Sequence, residues 1–313
     1  MTAHTADAAK MQRRGASGLD EVAWVARLDE IGRGHGFCTR IGTDHLALFV
    51  QEGDTLVVTF DSAARVFAEE QDGLPPGFEA VRRHEWSLLS ILSLGDPWFR
   101  SADLAGLFDR LGDEGFFDSF ETVIFLGFGA ANGHAACVFS AAAPGSSVLA
   151  SAPVATLDPA RAGFDRRFPA GRRLPFGRYG DAPSLLASAR AAVILHDPTD
   201  PVTGAHAAQF RGPGVTLAPL RFAGPAPHRL IAAGGLLVPI LRALAQGRLT
   251  RAGLARMIRP VRRADAAYLW RLARIARAQG KPARARLVAE YAADVTGEAR
   301  FVELAARLSH GPA

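Results

Sequence analysis

The stretch Glu121 to Ser140, ETVIFLGFGAANGHAACVFS, constrains this chain more than any other. Thr122 to Leu126 is an apolar run of strand length. A tight turn follows, Gly127-Phe128-Gly129-Ala130-Ala131-Asn132-Gly133, and then a small-residue helix expected to reach about Ala143. Small side chains at such a junction let strand and helix pack closely, and glycine supplies backbone angles other residues avoid. The turn apex falls on Gly129 or Ala130, depending on one residue of slack, and neither carries a nucleophile. The amides at the start of the helix still face whatever lies above the turn, where the helix dipole favours negative charge. Gly129, Ala130, Ala131, Asn132 and His134 are therefore candidate ligand-binding residues.

Hydrophobic periodicity organises the rest. Val22, Val25, Leu28 and Ile31 predict a short amphipathic helix within Leu19–Gly34. Leu46–Val50 and Thr55–Phe60 flank Gln51-Glu52-Gly53-Asp54, which reads as a hairpin joining antiparallel neighbours at a sheet edge. Leu88–Leu94 is a third strand, with Asp96-Pro97-Trp98-Phe99 past its end, and Ala102–Gly115 a helix with Leu104, Leu107, Phe108 and Leu111 on one face. Ser147–Ala150, Ala192–Leu195 and Val215–Leu220 are further strands, with helices over Leu185–Ala191 and Gly204–Phe210. The irregular stretch after Pro153 is too long for an ordinary connection and is expected to be a functional excursion or lid. Strands alternating with helices predict an α/β fold, a mainly parallel sheet with helices on both faces. From Pro227 the chain reads as all-helical, with Gly234-Gly235 inside an apolar helix. Residues 266–299 have the spacing of a single tetratricopeptide-like (TPR-like) hairpin around Gly280-Lys281-Pro282. The expected organisation is a flexible N-terminus at 1–18, an α/β domain at 19–247 and a basic helical appendage at 248–313.

Composition narrows the classes. With 49% hydrophobic residues in a chain of 313, a sizeable core is available. Cys38 and Cys137 make neither a disulfide framework nor a metal motif, which suits a reducing compartment, and no metal or other cofactor is expected. The first residues show no secretory h-region. The uncharged stretch Leu230–Leu241 is 12 residues long, and a bilayer span needs ~20. A cytoplasmic protein without a membrane span is the expectation. Between Arg248 and Arg286 lie 12 basic residues and one acid, a net +11 against +5 for the whole chain, so the remainder is net −6. Such a segment reads either as a solvated helical face or as a site for nucleic acid, an acidic membrane or an acidic partner. Only two of the 36 basic residues are Lys, which favours the solvated face over nucleic acid.

Two residues suggest chemistry. Asp200 follows the strand ending at Leu195, and His228 follows the next strand by a Gly/Pro-rich loop, 28 residues later. An acid and a base in that order suit the second and third members of a nucleophile–acid–base triad. The plainer readings are that Asp197 and Asp200 make turn hydrogen bonds and that His228 caps a helix. Cys137 lies about two turns into the helix after the glycine turn, facing the core, and is a poor substitute nucleophile.

Together these stretches resemble the α/β-hydrolase superfamily, especially a bacterial branch found near polysaccharide-processing genes. The likeness covers roughly residues 45–245. It rests on LLSILSLGDPWF (88–99), VIFLGFGAANGHAACVFS (123–140), SSVLASAPVATLDPARAGFDRRF (146–168), LHDPTDPVTGAHAAQF (195–210) and the loop with His228. Active members look like Y-G-x-S-M-G-G-Y-A-A-L at the nucleophile elbow. This chain keeps Gly127, Gly133, Ala135 and Ala136 and lacks the serine. The resemblance implies a catalytically degenerate hydrolase-fold protein that binds a small anionic or acyl ligand, or a protein partner. The alternatives are a divergent ester hydrolase using Asp200 and His228 as remnant acid and base, and an interaction module built on the basic helices. Relatives of this pattern are sometimes labelled phosphoadenosine phosphosulfate reductases. Those enzymes look like S-G-G-x-D-S loops with a late cysteine, whereas here no Cys follows Cys137, so that chemistry is not supported.

Overall fold

A computed structural model describes residues 14–95, 98–174 and 177–309. Eight strands form one sheet: β1 (Gly36–Ile41), β2 (His45–Val50), β3 (Thr55–Ser62), β4 (Ser87–Ser93), β5 (Thr122–Phe128), β6 (Ser147–Ser151), β7 (Ala191–His196) and β8 (Val215–Pro219). Their spatial order is β1-β2-β4-β3-β5-β6-β7-β8. Only β2 runs against the others; β4, β3 and β5 through β8 are mutually parallel. The central strands are buried on both faces, which is why they read as continuous apolar runs rather than alternating ones.

The expected β2–β3 hairpin is not there. β2 and β3 both pair with β4, which lies between them. The residues between β2 and β3 step across a strand, a gap of about 10 Å, instead of turning back on a neighbour. Ser87 clasps this crossing: its Oγ accepts the Glu52 N–H at 3.0 Å and donates to the Gly53 carbonyl at 2.8 Å. The actual hairpin is one strand earlier, β1–β2, turning at Gly42 with φ +56°.

One face of the sheet is covered by the helices Ala102–Asp113 and Ala130–Phe139, the other by Glu21–His35 and the helices after residue 228. Ala102–Asp113 is capped by Ser101, whose Oγ accepts Leu104 N–H, and buries Leu104, Leu107, Phe108 and Leu111 as its spacing predicts. Each such burial is worth about 1.5–3 kcal/mol. In Glu21–His35 the fully buried line is Trp24, Leu28 and Gly32; Val25 and Ile31 of the three-residue recurrence pack partly buried beside it, and of that recurrence only Val22 is exposed. Residues 14–18 are fastened by bonds from Gly15 N–H to Leu19 O and from Ala16 N–H to Phe67 O.

Two further corrections concern helices. Leu185–Ala191 is not a helix: short turns at Ala182–Leu185 and Leu186–Ser188 give way to β7 at Ala191. The apolar stretch around Gly234-Gly235 is broken there, with Arg229–Ala233 ending at Gly234 and Gly235 at φ +58° before Leu237–Ala245 begins. The helix Arg251–Ala264 lends Leu254 and Ile258 to the sheet's core. Beyond it, Ala266–Ala278, Pro282–Thr296 and Ala299–Ser309 pack through Leu269, Ala273, Ala289, Ala292, Phe301 and Leu304. Among the described residues no helix is long and apolar enough to cross a membrane.

Candidate functional site

β5 ends at Phe128, and the helix Ala130–Phe139 begins after a single residue, Gly129, at φ +98° and ψ −177°. That backbone conformation is essentially reserved for glycine. It makes Gly129, rather than Ala130, the apex residue, and a Cβ built there meets nothing within 4 Å. Gly127 is fixed for the opposite reason: a Cβ would collide with the Asn132 carbonyl where the helix folds back over the strand. Gly129 N–H is spent on Ser151 O at 2.9 Å, and Ala130 O accepts Val154 N–H at 3.1 Å, which ties the elbow to the end of β6. The strand order, with β2 alone reversed, and this strand–elbow–helix unit after the fifth strand define the α/β-hydrolase fold. The elbow has no nucleophilic side chain at its apex.

His228 lies beside the elbow. Its ring stacks on Phe128 with centroids 5.2 Å apart and planes at 10°, and Nδ1 is 3.3 Å from Ser151 Oγ. Nε2 has no protein partner among the described residues and is not sealed from solvent. Burial first, then the charges of Arg229 and Arg65, lower its pKa from 6.5 to about 4, so the imidazole is neutral at pH 7. A neutral ring with so low a pKa is a weak general base.

Asp200 is turned to another task. Its carboxylate accepts Thr203 N–H at 2.9 Å and caps the helix Pro201–Ala207. Among the described residues no hydrogen bond joins Asp200 to His228. Asp197, buried at the end of β7, accepts Thr199 N–H at 2.8 Å and Thr199 Oγ1–H at 2.7 Å, and its second oxygen accepts Gly224 N–H at 2.7 Å. Gly224 belongs to the loop that carries His228, so Asp197 holds that loop by its backbone.

The remaining candidates divide. Asn132 is held beside the elbow, its Nδ2 donating to Asp61 Oδ1 at 3.3 Å. Asp61, buried at the end of β3, is gripped by Arg65 through Nε at 2.7 Å and a second guanidinium nitrogen at 2.5 Å; Arg65 also donates to Glu70 at 2.7 Å. His134 faces away, buried against Trp98, with Nδ1 2.9 Å from Val154 O. Burial lowers its pKa to about 4. Cys137 is buried, and burial pushes its thiol pKa up.

The sequence did not single out Ser151, Phe128, Asp61 or Arg65. The only available signal was an acid and an arginine four apart at the end of an apolar strand, Asp61 and Arg65. The irregular stretch after Pro153 is also pinned: buried Asp165 accepts two guanidinium bonds from Arg167 at 2.9 and 2.8 Å and faces His206 Nε2 at 3.0 Å. His206 Nδ1 accepts Ala155 N–H at 3.3 Å.

No protein-family model matches this chain, and no curated protein matches it. Among solved structures it is similar to the carboxylesterase Cest-2923 of Lactobacillus plantarum WCFS1, at 12% identity and TM-score 0.42, over 68% of this chain and 98% of that one. It is also similar to the capsule O-acetyltransferase of Neisseria meningitidis serogroup A, at 11% identity and TM-score 0.41, over 65% and 95%. A hormone-sensitive lipase from a metagenome library gives 12% identity and TM-score 0.42, over 81% and 97%.

Proposed function

We propose that this chain is a catalytically degenerate α/β-hydrolase-fold protein that binds a small anionic or acyl ligand at the elbow. The observation that carries this reading is the pairing of a glycine apex with a neutral His228 oriented by Ser151. Covalent catalysis on this fold needs an attacking oxygen or sulfur at the apex, and glycine offers none. What remains suits binding. The first amides of the ten-residue helix Ala130–Phe139 lack intrahelical acceptors. Arg229 places a positive charge near the ring, while the charge of Arg65 is taken up by Asp61 and Glu70. With Ser151 Oγ–H donating to Nδ1, His228 Nε2–H is free to donate to a ligand oxygen.

A fluorophosphonate probe is expected to leave the full-length protein unlabelled. Small carboxylates and short acyl esters are expected to raise its melting temperature, and His228→Ala to abolish that rise. Covalent labelling at any residue would count strongly against the reading. Turnover of a p-nitrophenyl ester that His228→Ala removes would favour the divergent hydrolase instead.

A further inference from the structure

A groove of about 490 Å³ opens between three C-terminal helices, Arg251–Ala264, Ala266–Ala278 and Pro282–Thr296. Its floor is aliphatic, made of Leu269, Leu272 and Val288. On its open side Leu287 and Tyr291 stand one turn apart, 60% and 44% exposed, and Val295, 44% exposed, continues the line by another turn. Single exposed apolar residues are ordinary, but three on one helical line beside a groove make a contiguous patch of the kind that marks an interaction surface.

Charge identifies the occupant. Arg262, Arg263 and Arg284 rim the groove, and among the described residues none of the three has an ion pair. Nearby Arg286 is neutralised by Glu290 at 2.9 Å, whereas the three rim guanidiniums keep their charge for an incoming group. An apolar floor beneath unpaired guanidiniums complements a segment with aliphatic side chains on one face and carboxylates beside them. Nucleic acid fits less well, because single strands stack successive bases on several aromatic faces, and of the groove's two aromatics only Tyr291 stands open. Tyr268, the groove's inner aromatic, is already covered by Arg262, at 5.7 Å, and its hydroxyl donates to Arg221 O at 3.2 Å.

We infer that this groove docks an acidic amphipathic helix of a partner protein. The surface is separate from the elbow, and the inference stands whether or not the elbow binds a ligand. The test uses the full-length protein and a fluorescein-labelled amphipathic peptide with Leu at i, i+4 and i+8 and Glu or Asp beside them, read by anisotropy. Leu287→Asp, and separately the pair Arg262→Glu with Arg263→Glu, are each expected to weaken binding about tenfold or more, as loss of a central anchor does. Unchanged circular dichroism would show that the variants fold. The inference is overturned if the peptide does not bind, or if both variants bind it as well as the parent. Equal binding of a peptide with Ala in place of Leu also overturns it, as does tighter binding of oligo(dT). Self-association that Leu287→Asp abolishes would overturn it too, because the groove would then hold a second copy of this chain.

Discussion

His228 Nδ1 lies 3.3 Å from Ser151 Oγ, so a hydroxyl at the end of β6, not a carboxylate after β7, orients the imidazole. A serine supplies orientation without negative charge, so it does not raise the basicity of the ring as an aspartate would. Ser151→Asp is therefore expected to raise the His228 pKa from about 4 towards the ordinary 6.5, as measured by NMR titration of the ring protons. An unchanged titration would mean that the pair is not the electrostatic partner the geometry indicates.

Gly127→Ala and Gly129→Ala should both destabilise the elbow, for different reasons. At Gly129 the cost is conformational, about 1–3 kcal/mol, because space is open and only φ is unfavourable. At Gly127 the cost is steric, against the rigid Asn132 carbonyl, and should be at least as large. Urea denaturation with an unchanged m-value is the measurement. A neutral Gly129→Ala would contradict the apex assignment.

The two carboxylates after β7 should separate cleanly. Asp200→Ala removes a helix cap and is expected to cost about 1 kcal/mol. Asp197→Ala leaves the buried Gly224 N–H and the Thr199 N–H without acceptors, at about 1–3 kcal/mol for a buried group. Faster amide exchange at Gly224 in the second variant alone would locate the effect. Equal exchange in both would remove Asp197 as the holder of the His228 loop.

Acid should destabilise the fold through His134. Its pKa falls from 6.5 to about 4 on burial, so the unfolded chain binds the extra proton first. That contribution is complete above pH 6.5 and is lost as pH falls towards 4, reaching roughly 3 kcal/mol. His134→Gln, which can keep a bond to Val154 O, should make the stability curve shallower over this window, leaving the share that His228, also lowered to about 4, contributes. A curve as steep as the parent's would show that the loss arises elsewhere.

Asp165→Ala should release the stretch 153–174. It removes the acceptor shared by Arg167 and buried His206, an effect of about 3 kcal/mol. Limited trypsin digestion would report it as accelerated cleavage around Arg166 and Arg167. A resistant variant would mean that Trp98, Val154 and Leu157 alone secure the stretch.

The elements legible in the sequence were those whose signal is local. The elbow was readable because glycine and alanine spacing encodes the close approach of strand and helix. Ala102–Asp113 was readable because its four buried residues share one face. The place of β4 between β2 and β3 was not, because nothing in Gln51–Asp54 distinguishes a reversal from a step across a strand. The Ser151–His228 contact joins residues 77 apart, and a lone serine at a strand end carries no signal of its partner. Asp200 and His228 stand in the expected order along the chain, but a side chain's direction depends on the cap it makes, which spacing does not encode.

Tyr268 lines the C-terminal groove and also holds the Arg221 carbonyl, next to Phe222, whose N–H is bonded to Thr199 Oγ1 at 3.3 Å. Arg271, on the same helix, fills the space a side chain at Gly224 would occupy. The loop bearing His228 is thus shared between the elbow and the C-terminal helices. If a partner displaced Tyr268 the hold on this loop would loosen, and any ligand taken up at the elbow would then be coupled to that partner, each changing the other's affinity by the same factor.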